Sequence, residues 1–174
     1  PPPPPPFFFS RRRRHTRCLR VSWARNVYKR QAIPLTTIST DMTWNPADQK
    51  VYGAFYNTTK NGYVFGTLDL ETGAVNKLSD ITLQDDKGYP AGFVVIAANS
   101  IGEVYGISQM GDLYKFNTED GSYSLIGATG YTPLYQQSGC FDFTTKQLYW
   151  AACNENSSGI YQVNADTGEA TLLG

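Results

Sequence analysis

"LDLETG" (68–73), "FNTEDG" (116–121) and "VNADTG" (163–168) are three versions of one short phrase. Each runs apolar, Asp or Asn, any residue, acid, Thr or Asp, Gly. The leading Asp69, Asn117 or Asn164 has a side chain short enough to bond its own backbone two residues on. The closing Gly73, Gly121 or Gly168 supplies the positive φ that a tight hairpin needs. One such turn is weak evidence of anything, but three copies 48 and 47 residues apart indicate a structural repeat.

A second element recurs upstream of each turn: "TWNPADQKVYG" (43–53), "AANSIGEVYG" (97–106) and "CFDFTTKQLYW" (140–150) share a bend followed by Val or Leu and then Tyr. Each unit therefore reads as four short strands, in the first copy about 41–45, 50–56, 63–69 and 74–79. The second strand, "VYGAFY" (51–56), is apolar on both faces, as suits a strand covered on each side by a neighbouring sheet. No stretch carries helical periodicity. Four-stranded units of about 40–45 residues, stacked face to face, are propeller blades.

The fold expected is all-β, a partial β-propeller of about three four-stranded antiparallel blades. The body, residues 32–174, would hold blades at about 41–82, 93–129 and 138–174. It resembles the β-propeller superfamily, most nearly the quinoprotein-like, YVTN and NHL-type bacterial repeats with "LYG…DxxTG" blades. "LYW" (148–150) is similar to the YWTD blade, but Ala151–Ala152 stand where that family has Thr–Asp. Because propellers have about four to eight blades, three imply a piece of a larger ring. "AIPLTTIS" (32–39) reads as the last strand of a preceding blade.

The head, residues 1–31, differs from the body. It opens "PPPPPPFFFSRRRRHTRC" (1–18) and holds nine of the fifteen Lys and Arg with no acid. The formal net charge of zero conceals this division: the body has six lysines against all fifteen acids, a net of −9. A polyproline spacer and an Arg-rich arm are two readings of the head. A third is preferred, that it resembles translated sequencing adapter of the kind fused to genes at the ends of metagenomic reads. Proline and phenylalanine runs are what C-runs and T-runs of nucleotides give on translation. No signal peptide is read here, since the basic residues follow the only apolar run, Phe7–Phe9.

The charge of the body argues against nucleic acid as a partner. No apolar run reaches the roughly 18 residues of a membrane span. With His15 set aside in the head, there is no histidine for a Ser-His-Asp triad, a Cys-His pair or an HExxH zinc site. No Ca²⁺ loop or phosphate-binding glycine loop is present, and no cofactor, metal site or catalytic residue is assigned. Asp85, Asp86, Asp142 and Glu155 are carboxylates that could serve glycoside hydrolysis if paired, and otherwise are solvated loop acids. Cys140 and Cys153 flank one hairpin, either bridged across strands or as two buried free thiols.

Loops joining strands one to two and three to four share one end of a blade and keep their length. Those joining strands two to three, and blade to blade, share the other end and vary. Ligand loops change length while scaffold turns do not. The variable end carries "NTTKNG" (57–62), "DDKGYPAG" (85–92), "GYTPLYQQSG" (130–139) and "NENSSG" (154–159). Tyr131, Tyr135, Gln136 and Asn154 are the candidate ligand-binding residues, with Tyr89 and Gln137 beside them. Flat rings next to amides suit a glycan or peptide, although the same residues could simply pack between blades. The function expected is a non-enzymatic binding or scaffold propeller with a glycan or protein ligand. The alternative is a carbohydrate-active propeller enzyme. Acidic composition and the family resemblance place the chain outside the cytoplasm, secreted, periplasmic or on a bacterial cell surface.

Overall fold

A computed structural model describes residues 37–174. The chain divides into two units, Pro1–Pro34 and Leu35–Gly174, and the described residues belong to the second. The reading of residues 1–31 as foreign to the body lies outside the described residues.

Twelve strands form three antiparallel sheets of four, each in the order in which its strands occur along the chain. The first blade is β1 (Ile38–Asn45), β2 (Lys50–Asn57), β3 (Gly62–Leu68) and β4 (Val75–Ile81). The second is β5 (Phe93–Ala98), β6 (Val104–Ser108), β7 (Asp112–Phe116) and β8 (Tyr123–Ala128). The third is β9 (Ser138–Asp142), β10 (Gln147–Cys153), β11 (Ser158–Val163) and β12 (Ala170–Leu172). Among the described residues there is no helix. The architecture is that of consecutive propeller blades.

Ile38 and Ser39, read from sequence as the tail of a preceding blade, belong to β1 instead. A bulge between Ser39 and Asp41 takes up one residue and lets the ladder continue to an Ile38–Tyr56 pair.

The repeated phrase does locally what its residues require. Oδ1 of Asp69, Asn117 and Asn164 accepts the backbone N–H of Glu71, Glu119 and Asp166, two residues on. Gly73, Gly121 and Gly168 close the turns at φ of 73°, 75° and 87°. Each donates its N–H to the carbonyl of the leading residue. The glycines also serve packing between blades. A Cβ on Gly121 would lie 2.7 Å from Leu78 Cβ on β4, and one on Gly168 would lie 2.6 Å from the carbonyl oxygen of Gly127 on β8. The three-to-four turn of one blade is thus seated on the outer strand of the blade before it. Ser79 seals the first of these contacts by donating its hydroxyl to the Gly121 carbonyl at 2.6 Å.

Two apolar layers lie between the sheets. Tyr52, Ala54 and Phe65 of the first blade meet Phe93, Ile96, Val104 and Phe116 of the second. Phe65 stacks on Phe116 with ring centroids 4.0 Å apart. Val95, Tyr105, Ile107 and Leu113 of the second blade meet Leu148, Trp150, Ala152 and Val163 of the third. Covered on both sides, β5 and β6 are buried at every residue. Alternate side chains of β6 enter different layers, Val104 one and Tyr105 the other.

The first strands lie next to each other across blades without sharing a ladder, so the free edge of β5 needs other partners. Asp41 Oδ2 accepts the Ile96 N–H at 2.8 Å, and Thr43 Oγ1 accepts that of Ala98 at 3.0 Å. Burial raises the Asp41 carboxyl to a pKa of about 6 in spite of hydrogen bonds from Ile96, Met42 and Ser138. Nearby, buried Asn45 donates to the Gly102 carbonyl at 2.9 Å and ties two one-to-two turns together.

The cross-strand disulfide does not form. Register sets Tyr149 opposite Cys140 and Ser158 opposite Cys153, which leaves the thiols separated along the same face. Both are free, and Cys140 is exposed rather than buried.

Candidate functional site

Antiparallel order puts the loops after β2, β4, β6, β8 and β10 at one end of the blades. A cavity of about 720 Å³ opens there, a size usual for small-ligand and peptide pockets. Its walls come from the first two blades and from the connection leading to the third.

One wall is aromatic. Tyr56 and Tyr63 face each other across the β2–β3 ladder with ring centroids 5.1 Å apart, and both line the cavity. The Tyr56 hydroxyl donates to Asn61 Oδ1 in the adjoining turn. Gln109 and Met110, from the β6–β7 loop, continue this wall.

The second wall is the β4–β5 connection, whose shape is set by Asp85. One of its carboxylate oxygens accepts the N–H groups of Lys87 and Tyr89 at 2.9 and 2.8 Å. Gly88, at φ 81°, completes the reversal. Asp85 and Asp86 both line the cavity. Asp85 is engaged in holding the loop, whereas Asp86 is exposed. Tyr89 is 65% exposed and lies away from the lining.

The third wall is the β8–β9 connection, and it is anchored at its base. Buried Thr129 donates its hydroxyl to the Gly111 carbonyl at 2.6 Å. Tyr131 sends its hydroxyl to the Ser157 carbonyl at 2.9 Å and sets its ring edge-on to Trp150, 5.4 Å between centroids. Asn154 Nδ2 donates to the Thr132 carbonyl, while its Oδ1 accepts from Asn156 and Ser157. Gln137, mostly buried, donates to the carbonyls of Leu134 and Cys153. So fixed, the connection presents Thr132 to Gln136 to the cavity.

The four candidate residues thus take two positions. Tyr135 and Gln136 line the cavity. Tyr131 and Asn154 stand behind it and attach the β8–β9 connection to the β10–β11 turn. Tyr135 is distinctive for its backbone as well. It sits at φ 71° and is 66% exposed. Among the described residues, the other non-glycine positions with positive φ, Gln49, Asn61 and Lys146, lie in hairpin turns. A bulky residue held in the left-handed region is an outlier that calls for a reason.

The four carboxylates considered for hydrolysis do not converge. Asp142 caps the β9–β10 turn at the opposite end, where the Thr145 hydroxyl and the Thr144 N–H hold its carboxyl below the usual range. Glu155 lies in the Asn154–Ser157 turn outside the lining. Among the described residues no three His, Cys, Asp or Glu side chains gather as a metal-binding group. No helix among them is long and apolar enough to cross a membrane.

Tyr56, Tyr63 and Gln109 were not singled out from sequence. The available signal was position, because Tyr56 and Tyr63 flank the variable loop "NTTKNG" on either side.

No protein-family model matches the chain, and no curated protein matches it. Solved structures do. A chain in the crystal structure of the nidogen/laminin complex is similar over 80% of this chain and 49% of its own length, with 16% identity and a TM-score of 0.59. A protein of unknown function from Bacteroides thetaiotaomicron VPI-5482 is similar over 75% of this chain and 32% of its own, with 14% identity and a TM-score of 0.53. The chain therefore spans half or less of the length of each of these two. At these identities the likeness shows the fold alone, and that fold is part of a β-propeller.

Proposed function

We propose that the chain is a non-enzymatic binding or scaffold propeller that takes a glycan or peptide in the cavity at its variable end. Tyr135 carries the reading. A tyrosine kept in a strained backbone conformation, with its ring turned to solvent at a cavity rim, gains nothing for folding that glycine or asparagine would not supply. Its ring offers a flat stacking surface, with Gln136 beside it to bond hydroxyls or amides. Tyr131 and Asn154 belong to the site as positioning residues. A location outside the cytoplasm is part of the same proposal and rests on the acidic, Tyr- and Asn-rich composition.

The test is a screen of glycan and peptide arrays with the wild-type chain, Tyr135→Ala and Thr167→Ala. Stacking one ring on a ligand is worth on the order of 1 kcal/mol. Affinity for any hit should therefore fall several-fold in Tyr135→Ala and stay unchanged in Thr167→Ala, which lies at the opposite end. Hits that bind both variants alike would place the ligand elsewhere and overturn the reading.

A further inference from the structure

The cavity has a sign as well as a shape. Asp85 and Asp86 contribute two carboxylates, and no Lys or Arg among the described residues lines it. Asp85 still presents net negative charge, because its hydrogen bonds come from neutral backbone N–H groups. Asp86 is exposed. The same cavity is lined by the rings of Tyr56, Tyr63 and Tyr135. Aromatic faces carry the negative lobe of the ring quadrupole and attract cations, guanidinium above all, because it is planar and can stack while its edge N–H groups bond a carboxylate. A lining that combines tyrosine rings with carboxylates and no Lys or Arg is favourable for a flat cation and unfavourable for an anion. The body around it, at −9, adds a long-range field of the same sign.

Resting on the reading of this cavity as the binding site, we propose that its ligand is a peptide segment presenting an arginine side chain. The guanidinium stacks on a tyrosine ring of the lining and pairs with Asp86, while the peptide backbone lies along the Thr132–Gln136 wall. That wall supplies the Gln136 amide for an extended chain to bond, the Thr132 and Leu134 carbonyls being taken by Asn154 and Gln137. A volume of about 720 Å³ accommodates an arginine side chain with its flanking peptide units. An acidic glycan is disfavoured by the same charges, and a neutral one would make no use of them.

The test uses the full chain and three capped pentapeptides, Gly-Gly-X-Gly-Gly with X as arginine, citrulline or glutamate, together with neutral chitotetraose. Citrulline keeps the shape of arginine and removes its charge. Fluorescence or calorimetric titration at low salt should give arginine binding at least five-fold tighter than citrulline, with glutamate undetectable. The arginine advantage should shrink below two-fold in 0.5 M NaCl, because the partner acid is exposed. Asp86→Asn should abolish that advantage, whereas Tyr135→Ala should weaken both the arginine and the citrulline peptides. Equal binding of arginine and citrulline, an advantage that survives in Asp86→Asn, or no detectable peptide binding overturns the arginine assignment. If chitotetraose binds in a Tyr135-dependent way, the assignment fails while the cavity stands as a binding site. The two conclusions therefore fail on different results.

Discussion

The two ends of the blades use similar residues to different effect. At the constant end, Asp, Asn and Gly recur in register, and the recurring polar groups bond within their own turn or to the next blade. Asn45 bonds Gly102, and Ser79 bonds Gly121. Gly168 is pressed on Gly127. At the variable end, Tyr, Asn and Gln also form internal bonds, but they leave a cavity rimmed by Tyr135 and Asp86. Repetition thus marks where blades must fit each other, and departure from repetition marks where they need not.

That contrast is most sharply broken or upheld by a pair of glycines. Gly168 at the constant end and Gly130 at the variable end both have positive φ, 87° and 77°. A Cβ on Gly168 would lie 2.6 Å from the Gly127 carbonyl oxygen, whereas one on Gly130 meets nothing within 4 Å. Gly130→Ala should therefore lose only the left-handed penalty, on the order of 1 kcal/mol. Gly168→Ala adds a clash with backbone that cannot rotate away and should lose about 3 kcal/mol. Urea midpoints at unchanged slope measure both. Equal losses would mean that the turn is not a seat between blades.

The repeat was legible because its chemistry is local: an Asp or Asn bonding two residues on, then a glycine, needs no knowledge of the rest of the molecule. Second strands were legible from the Val or Leu followed by Tyr that falls on β2, β6 and β10, although β6 is covered on both faces while β10 leaves Ala151 exposed. What escaped depends on neighbours. Tyr131 and Tyr135 lie four residues apart in one loop and look equivalent in sequence. Only the positions of Trp150 and Ser157 make the first an anchor, and only the absence of such partners exposes the second. Tyr56 and Tyr63 read as ordinary strand tyrosines, because a strand residue facing a cavity has the same spacing as one facing a sheet. Asn45 matches Asn99 in its turn, yet only its side chain reaches the next blade, through Gly102. The bulge in β1 likewise has no sequence mark beyond the pairing it preserves.

A smaller effect, dependent on pH, is expected at the seam between first strands. The Asp41 carboxyl has a folded-state pKa of about 6 against 3.8 for the unperturbed group. The folded state thus holds its proton more tightly than the unfolded chain does. The contribution of this residue to stability is therefore fully present below pH 3.8 and is lost as pH rises through 6. Asp41→Asn copies the protonated side chain, and its Oδ1 can still accept the Ile96 N–H. The variant should match wild type near pH 4 and be more stable by a few degrees in Tm at pH 7. Charged Asp69, Asp120 and Asp142, all lowered by turn hydrogen bonds, act in the opposite direction but are common to both proteins and cancel in the comparison. A variant less stable than wild type at pH 7 would show that the ionised carboxylate itself holds β5 in place.

The finest separation of the two ends comes from Tyr135→Gly. At φ 71°, a tyrosine bears a left-handed penalty on the order of 1–2 kcal/mol. Glycine relieves it but gains chain entropy in the unfolded state, an opposing term of about 0.5–1 kcal/mol. The ring is 66% exposed, so its removal uncovers little apolar core. The net expectation is a gain of about 0.5 kcal/mol in unfolding free energy, read as a small rise in the urea midpoint, together with a several-fold loss of affinity for whatever the wild-type cavity binds. Stability and binding would then move in opposite directions at one residue, as they do where strain is retained for function. A fall in stability of 1 kcal/mol or more would show instead that the Tyr135 ring supports the loop, and the variable end would then be built on the same terms as the constant one.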